Sequence, residues 1–164
     1  QVQRTVTIQR CRARVDTLIG HAGPWTELLG QATQVTGGHP LEMVNMWVNW
    51  HVRYQDDGPG DDEWADALST LQRGYGDCED FALAKMALLS ELGVSPDAMF
   101  LVLLKDRRNL AHAVLAVRDN GASERRAYVS LHAATVNRAR ATGVMEWSDD
   151  RSKGQECFNA RFLR

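Results

Sequence analysis

The stretch Gly74-Tyr75-Gly76-Asp77-Cys78-Glu79-Asp80-Phe81-Ala82, running on through Lys85, Leu88 and Leu92 to Gly93, decides how this chain is read. Two glycines interrupt the backbone, and Phe81, Ala84, Leu88 and Leu92 then recur at helical spacing. The pattern predicts a helix from about Cys78 to Leu92. Asp77 is its N-cap, Asp80 the acidic partner of a capping box, and Gly93 its stop. A cysteine thus stands in the first helical turn, where unpaired backbone N–H groups favour a thiolate. The flanking glycines allow the backbone to approach a substrate closely and keep the sulfur accessible. The same residues also suit a capped helix with an incidental buried cysteine.

Downstream of Pro96 the character changes. Met99 to Leu104, Ala113 to Val117 and Tyr128 to Leu131 are short apolar runs bounded by turn residues, with a hairpin signal at Asp119-Asn120-Gly121. A helix near Val136 to Ala141 and a terminal strand over Cys157 to Leu163 follow. Upstream, the first third reads helical. Val15, Leu18 and Ile19 recur at helical spacing, and Leu41 to Val52, started by Pro40, carries a stripe of Met43, Val44, Trp47, Val48 and Trp50. An acidic loop, Asp56 to Glu63, leads into a short helix at Trp64 to Leu71. Helices precede an antiparallel sheet, which is the pattern of an α+β fold. The expected organisation is a single domain over residues 1–164, helical to about 95 and sheet from about 96.

Composition narrows the function. The 164 residues carry 19 basic and 21 acidic side chains, a net charge of −2, so no field of one sign marks a nucleic-acid binder. No apolar run approaches the ~18 residues of a membrane-spanning helix. Cys11, Cys78 and Cys157 show no CxxC spacing, which disfavours a zinc ribbon or a thioredoxin-type site. Cys11 and Cys157 lie near opposite ends of the chain. They either bridge in an oxidising compartment or are unrelated thiols.

His112 opens the Ala113 to Val117 run. A strand-borne histidine facing a helix-borne cysteine is a common thiolate–imidazolium pair, although a lone histidine beside an apolar strand is often structural. The charges around Cys78 oppose ionisation. Two unit charges ~6 Å apart at an effective dielectric near 20 repel by roughly 3 kcal/mol. Asp77, Glu79 and Asp80 supply such charges. A bound divalent cation removes the conflict. Asp77 and Glu79 offer oxygens to one, Asp61 and Asp62 are further candidates, and all-oxygen ligands favour calcium. The alternative is that the acids only cap the helix or face solvent.

The runs GYGDCEDFALAK, MVNMWVNWHVRYQDD, DDEW and HAVLAV together resemble the bacterial transglutaminase-like cysteine proteinases. The resemblance implies a papain-like, transglutaminase-like core with the cysteine helix packed on an antiparallel sheet. It implies a periplasmic, calcium-dependent cysteine endopeptidase that releases a large surface adhesin at a paired-alanine site, a step in biofilm release. It also implies control by the periplasmic domain of an inner-membrane cyclic-di-GMP receptor. By position, Cys78 becomes the nucleophile and His112 its base. Asp77 and Glu79 become calcium ligands, with Asp62 a weaker candidate. One departure stands out. The family's third catalytic residue is an aspartate on the strand after the histidine, and Ala127 to His132 contains no carboxylate. Ser130 or Leu131 takes its place, and Ser130 or His132 is left to orient the imidazole through a neutral hydrogen bond. The alternative function is therefore a catalytically impaired relative that acts as a protein-binding module.

Overall fold

The central element is the cysteine helix, α4, over Cys78–Glu91. The computed structural model describes residues 6–11, 18, 20–32, 40–61, 63–105, 111–118, 126–130, 142–150 and 157–163. Ahead of α4 come α1 (Trp25–Ala32), α2 (Pro40–His51) and α3 (Ala67–Arg73). Local chemistry sets their ends. Pro40 opens α2. The Asp66 carboxylate caps α3 by accepting from Ser69 N at 2.9 Å, and Gly74 ends it in the left-handed region at φ 73°. Asp77 and Asp80 form the expected capping box of α4, and Gly93, at φ 85°, follows its last turn.

The strands β1 (Val6–Cys11), β4 (Met99–Lys105), β5 (Ala111–Arg118), β6 (Arg126–Ser130), β7 (Thr142–Asp150) and β8 (Cys157–Leu163) close into one antiparallel barrel in that order. Two two-residue strands, β2 (Arg53–Tyr54) and β3 (Tyr75–Gly76), pair in parallel apart from it. The α+β class and the helix-on-sheet arrangement follow the sequence reading. The first third differs, because its first described element is β1, which pairs with both β4 and β8 and closes the barrel. A six-residue strand with the mixed sequence VTIQRC has no apolar run to announce it. Leu18 lies outside any helix, and the expected helix at Val136 to Ala141 lies outside the described residues. Cys11 and Cys157 fall on neighbouring strands, with Cys157 opposite Gln9.

Burial explains why the β4 and β5 runs are continuous rather than alternating. Met99, Leu101, Ala113, Leu115 and Val117 join the core formed by Phe81, Ala84 and Leu88 of α4 with Leu41, Val44 and Val48 of α2. The intervening Phe100, Val102, Val114 and Ala116 are also buried, on the barrel side of the same strands. Helix α4 is enclosed by α2, α3 and β5, so its buried surface extends well beyond one stripe. Even Lys85 is buried. Its Nζ lies 5.6 Å from the Phe81 ring centre, and burial pushes the ammonium down to about 7. By contrast, Trp50 is 61% exposed, and Trp47 is part-buried and stacked on His51 at 4.1 Å.

Leu88 is fully enclosed, at 0% exposure. Leu88→Ala is expected to destabilise the fold by about 2–5 kcal/mol through lost burial and the cavity left behind. A urea unfolding curve with an unchanged slope and a lower midpoint is the expected record.

Candidate active site

The N-terminus of α4 reaches the sheet where β5 begins. The pairing of β6 with β5 runs from Leu115, opposite Ser130, to Arg118, opposite Ala127. Two positions beyond that end, Ala113 N donates to Cys78 Sγ at 3.3 Å. His112, the residue before Ala113, is half-buried at the same end of the strand. The fold therefore brings the helix-borne cysteine to the strand that bears the histidine.

Carboxylates crowd the other side of the sulfur. The Cys78 thiol donates to Glu79 Oε2 at 3.0 Å. Asp57, Asp77 and Glu79 each present an oxygen, all within 4.8 Å of one another. Strand pairing and turns place Asp57 there. Arg53 N donates to Gly74 O and Gln55 N to Gly76 O, each at 2.9 Å, which ties the start of the acidic loop to the residues before α4. The loop then folds back, with Asp57 Oδ2 accepting from Glu63 N at 2.7 Å. The hydroxyl of Tyr54 donates to Asp56 at 2.5 Å, and its ring lies 6.3 Å from that of Phe81. Burial, and then that hydrogen bond, hold the phenol above its ordinary range.

This crowding shows in the ionisation of the site. Burial, followed by the charge and hydrogen bond of Glu79, pushes the Asp77 carboxyl up to about 7. Burial and donation to Glu79 push the Cys78 thiol up to about 12, while the Ala113 amide acts in the opposite direction. Asp77 Oδ1 is buried and has no hydrogen-bond partner. An orphaned acceptor beside two further carboxylate oxygens fits a hard cation such as calcium, which takes oxygen ligands.

Of the residues singled out from sequence, Cys78, Asp77 and Glu79 therefore meet, and His112 precedes Ala113, the β5 residue whose amide reaches the sulfur. Asp62 lies outside the described residues, as does His132. Ser130 ends β6 opposite Leu115. In sequence Asp57 is just one member of the acidic loop. The strands that position it are two residues long and leave no periodic signal.

The family model of the bacterial transglutaminase-like cysteine proteinases matches residues 29–123, more than half of the chain. The chain belongs to that family. No curated protein matches it. Among solved structures it is similar to Legionella pneumophila LapG, at 29% identity and a TM-score of 0.56, over 65% of this chain and 59% of that one. An EGTA-treated form of LapG gives the same identity and TM-score. A calcium-bound form gives 25% identity and a TM-score of 0.57, over 82% of this chain and 75% of that one. The chain thus spans about three-fifths of the first of these LapG chains. The cysteine peptidase class and the transglutaminase-like fold rest on this membership. Among the described residues, no helix is long and apolar enough to cross a membrane.

The raised Asp77 carboxyl sets a pH dependence. Between the ordinary carboxylate range and about 7, folded Asp77 keeps a proton that the unfolded chain has lost. Metal-free stability therefore falls as pH rises through that window. Asp77→Asn removes this contribution. Thermal melts in EGTA are expected to show the variant gaining on the wild type steadily from pH 4 to pH 8; a gap independent of pH contradicts the assignment.

Proposed function

We propose that this chain is a calcium-dependent cysteine endopeptidase of the bacterial envelope, with Cys78 as nucleophile and His112 as general base. The observation that carries the reading is the 3.3 Å contact from Ala113 N to Cys78 Sγ, which joins the nucleophile helix to the histidine strand. Asp57, Asp77 and Glu79 would hold the cation. Bound there, calcium supplies positive charge that offsets the carboxylates beside the sulfur.

The chemistry of the chain's own residues follows. His112 takes the thiol proton, and the Cys78 sulfur attacks the carbonyl carbon of the scissile peptide. The backbone N–H of Cys78, at a helix N-terminus, faces the developing oxyanion. His112 returns the proton to the leaving amine as the C–N bond breaks, which leaves a thioester. A water, deprotonated by His112, attacks the thioester carbon, and the C–S bond breaks to release the acid. Ser130, on the next strand, is left to orient the imidazole of His112 through a neutral hydrogen bond. The substrate in this reading is a large surface adhesin cut at paired alanines in the periplasm, with biofilm release as the outcome. The periplasmic domain of a cyclic-di-GMP receptor is the regulatory partner.

A second reading, a binding module without catalysis, is favoured by one observation. The strand after His112 offers Ser130 where the family has an aspartate.

One experiment separates the two. The protein is incubated with an adhesin fragment containing the paired-alanine site, in calcium or EGTA. The peptidase reading predicts cleavage that needs calcium, vanishes in Cys78→Ala, and slows by about 10³-fold or more in His112→Ala. A stable complex without cleavage, unchanged by Cys78→Ala, establishes the binding module instead.

A further inference from the structure

Asp80 belongs neither to the nucleophile nor to the group of oxygens that fits a cation, yet it is fully buried, at 0% exposure. Its carboxylate gathers three segments of chain. Oδ1 accepts from Ala65 N at 2.9 Å. Oδ2 accepts from Arg73 Nη2 at 2.6 Å and from Asp77 N at 3.4 Å. Arg73 is itself held, since its Nε donates to Tyr75 O at 2.8 Å and its guanidinium lies 4.7 Å from the Tyr75 ring centre. Gly76 leaves room for this arrangement. A Cβ at that position would lie 2.5 Å from Asp80 Oδ2.

These contacts close a frame. The acidic loop is tied at its start by Gln55 N to Gly76 O and at its exit by Ala65 N to Asp80. Asp57 lies between the two ties. The same carboxylate grips the backbone of Asp77, so one side chain spans both halves of the cation cluster. We propose that Asp80 is a positioning residue that holds Asp57 against Asp77 and Glu79, so that the three oxygens are already gathered before a cation arrives. This inference rests on the reading of that cluster as a calcium site. Residues behind metal ligands commonly act in this way, and their loss weakens metal binding by about 10–100-fold.

Two variants test it from different sides. Asp80→Asn can keep an acceptor for Ala65 N but sets an NH2 group against Asp77 N and Arg73. Gly76→Ala removes no carboxylate but displaces that of Asp80. Calcium affinity is measured by isothermal titration, alongside thermal stability and the alkylation rate of Cys78 at saturating calcium. Both variants are expected to bind calcium at least about tenfold more weakly. Their alkylation rate is expected to return towards the wild-type value once calcium saturates. A purely structural role lowers thermal stability and leaves affinity unchanged, so folded variants with wild-type affinity overturn the inference alone. A wild-type protein that binds no calcium overturns the metal reading and this inference with it. If both variants fail to fold, Arg73→Gln takes their place, because the Arg73 side chain is 29% exposed and only one of the Asp80 contacts is lost. It is expected to show a smaller loss of affinity, and unchanged affinity there overturns the inference.

Discussion

A thiol at the tip of a buried helix is surrounded here by carboxylates, and the rest of the site is arranged around that conflict. The helix N-terminus and the Ala113 amide favour a negative sulfur. Burial, the hydrogen bond to Glu79 and the nearby Asp77 oppose it and prevail in the metal-free chain, pushing the thiol up to about 12. Asp77 experiences the same crowding, is pushed up to about 7, and keeps a buried oxygen without a partner. The proposed cation, held among these oxygens, would resolve both strains at once, satisfying the orphaned acceptor and drawing the carboxylate field away from the sulfur.

The architecture serves this point. Helix α4 is enclosed by α2, α3 and β5, so its first turn is fixed relative to the sheet. Among the described residues the β5–β6 pairing reaches Leu115, and the sulfur meets the amide of Ala113, two residues before it. The paired β2 and β3 carry the acidic loop to the same place, and Asp80 ties off its far end. Elements far apart in sequence thereby supply the thiol, the histidine and the oxygen cluster.

Much of this is legible in the order of the residues. The spacing from Cys78 to Gly93 announces a capped helix, and the runs at Met99 and Ala113 announce strands, because burial on both faces leaves continuous apolar sequence. Cys78, Asp77 and Glu79 stand out because a thiol among acids is chemically costly. Other features leave no pattern to read. β1 is too mixed in character to declare itself, yet it closes the barrel. Asp57 depends on two-residue strands and a turn, with Gly60 at φ 91°, and neither has a period. The position of Ser130 along β5 depends on strand register, which a sequence does not display.

The most direct test is the ionisation of the Cys78 thiol, followed by thiolate absorbance against pH with Cys11 and Cys157 replaced by serine. With EGTA the thiol is expected to stay protonated far above neutral pH. With saturating calcium its titration is expected to move down by several pH units. A titration that is the same in both conditions contradicts the account.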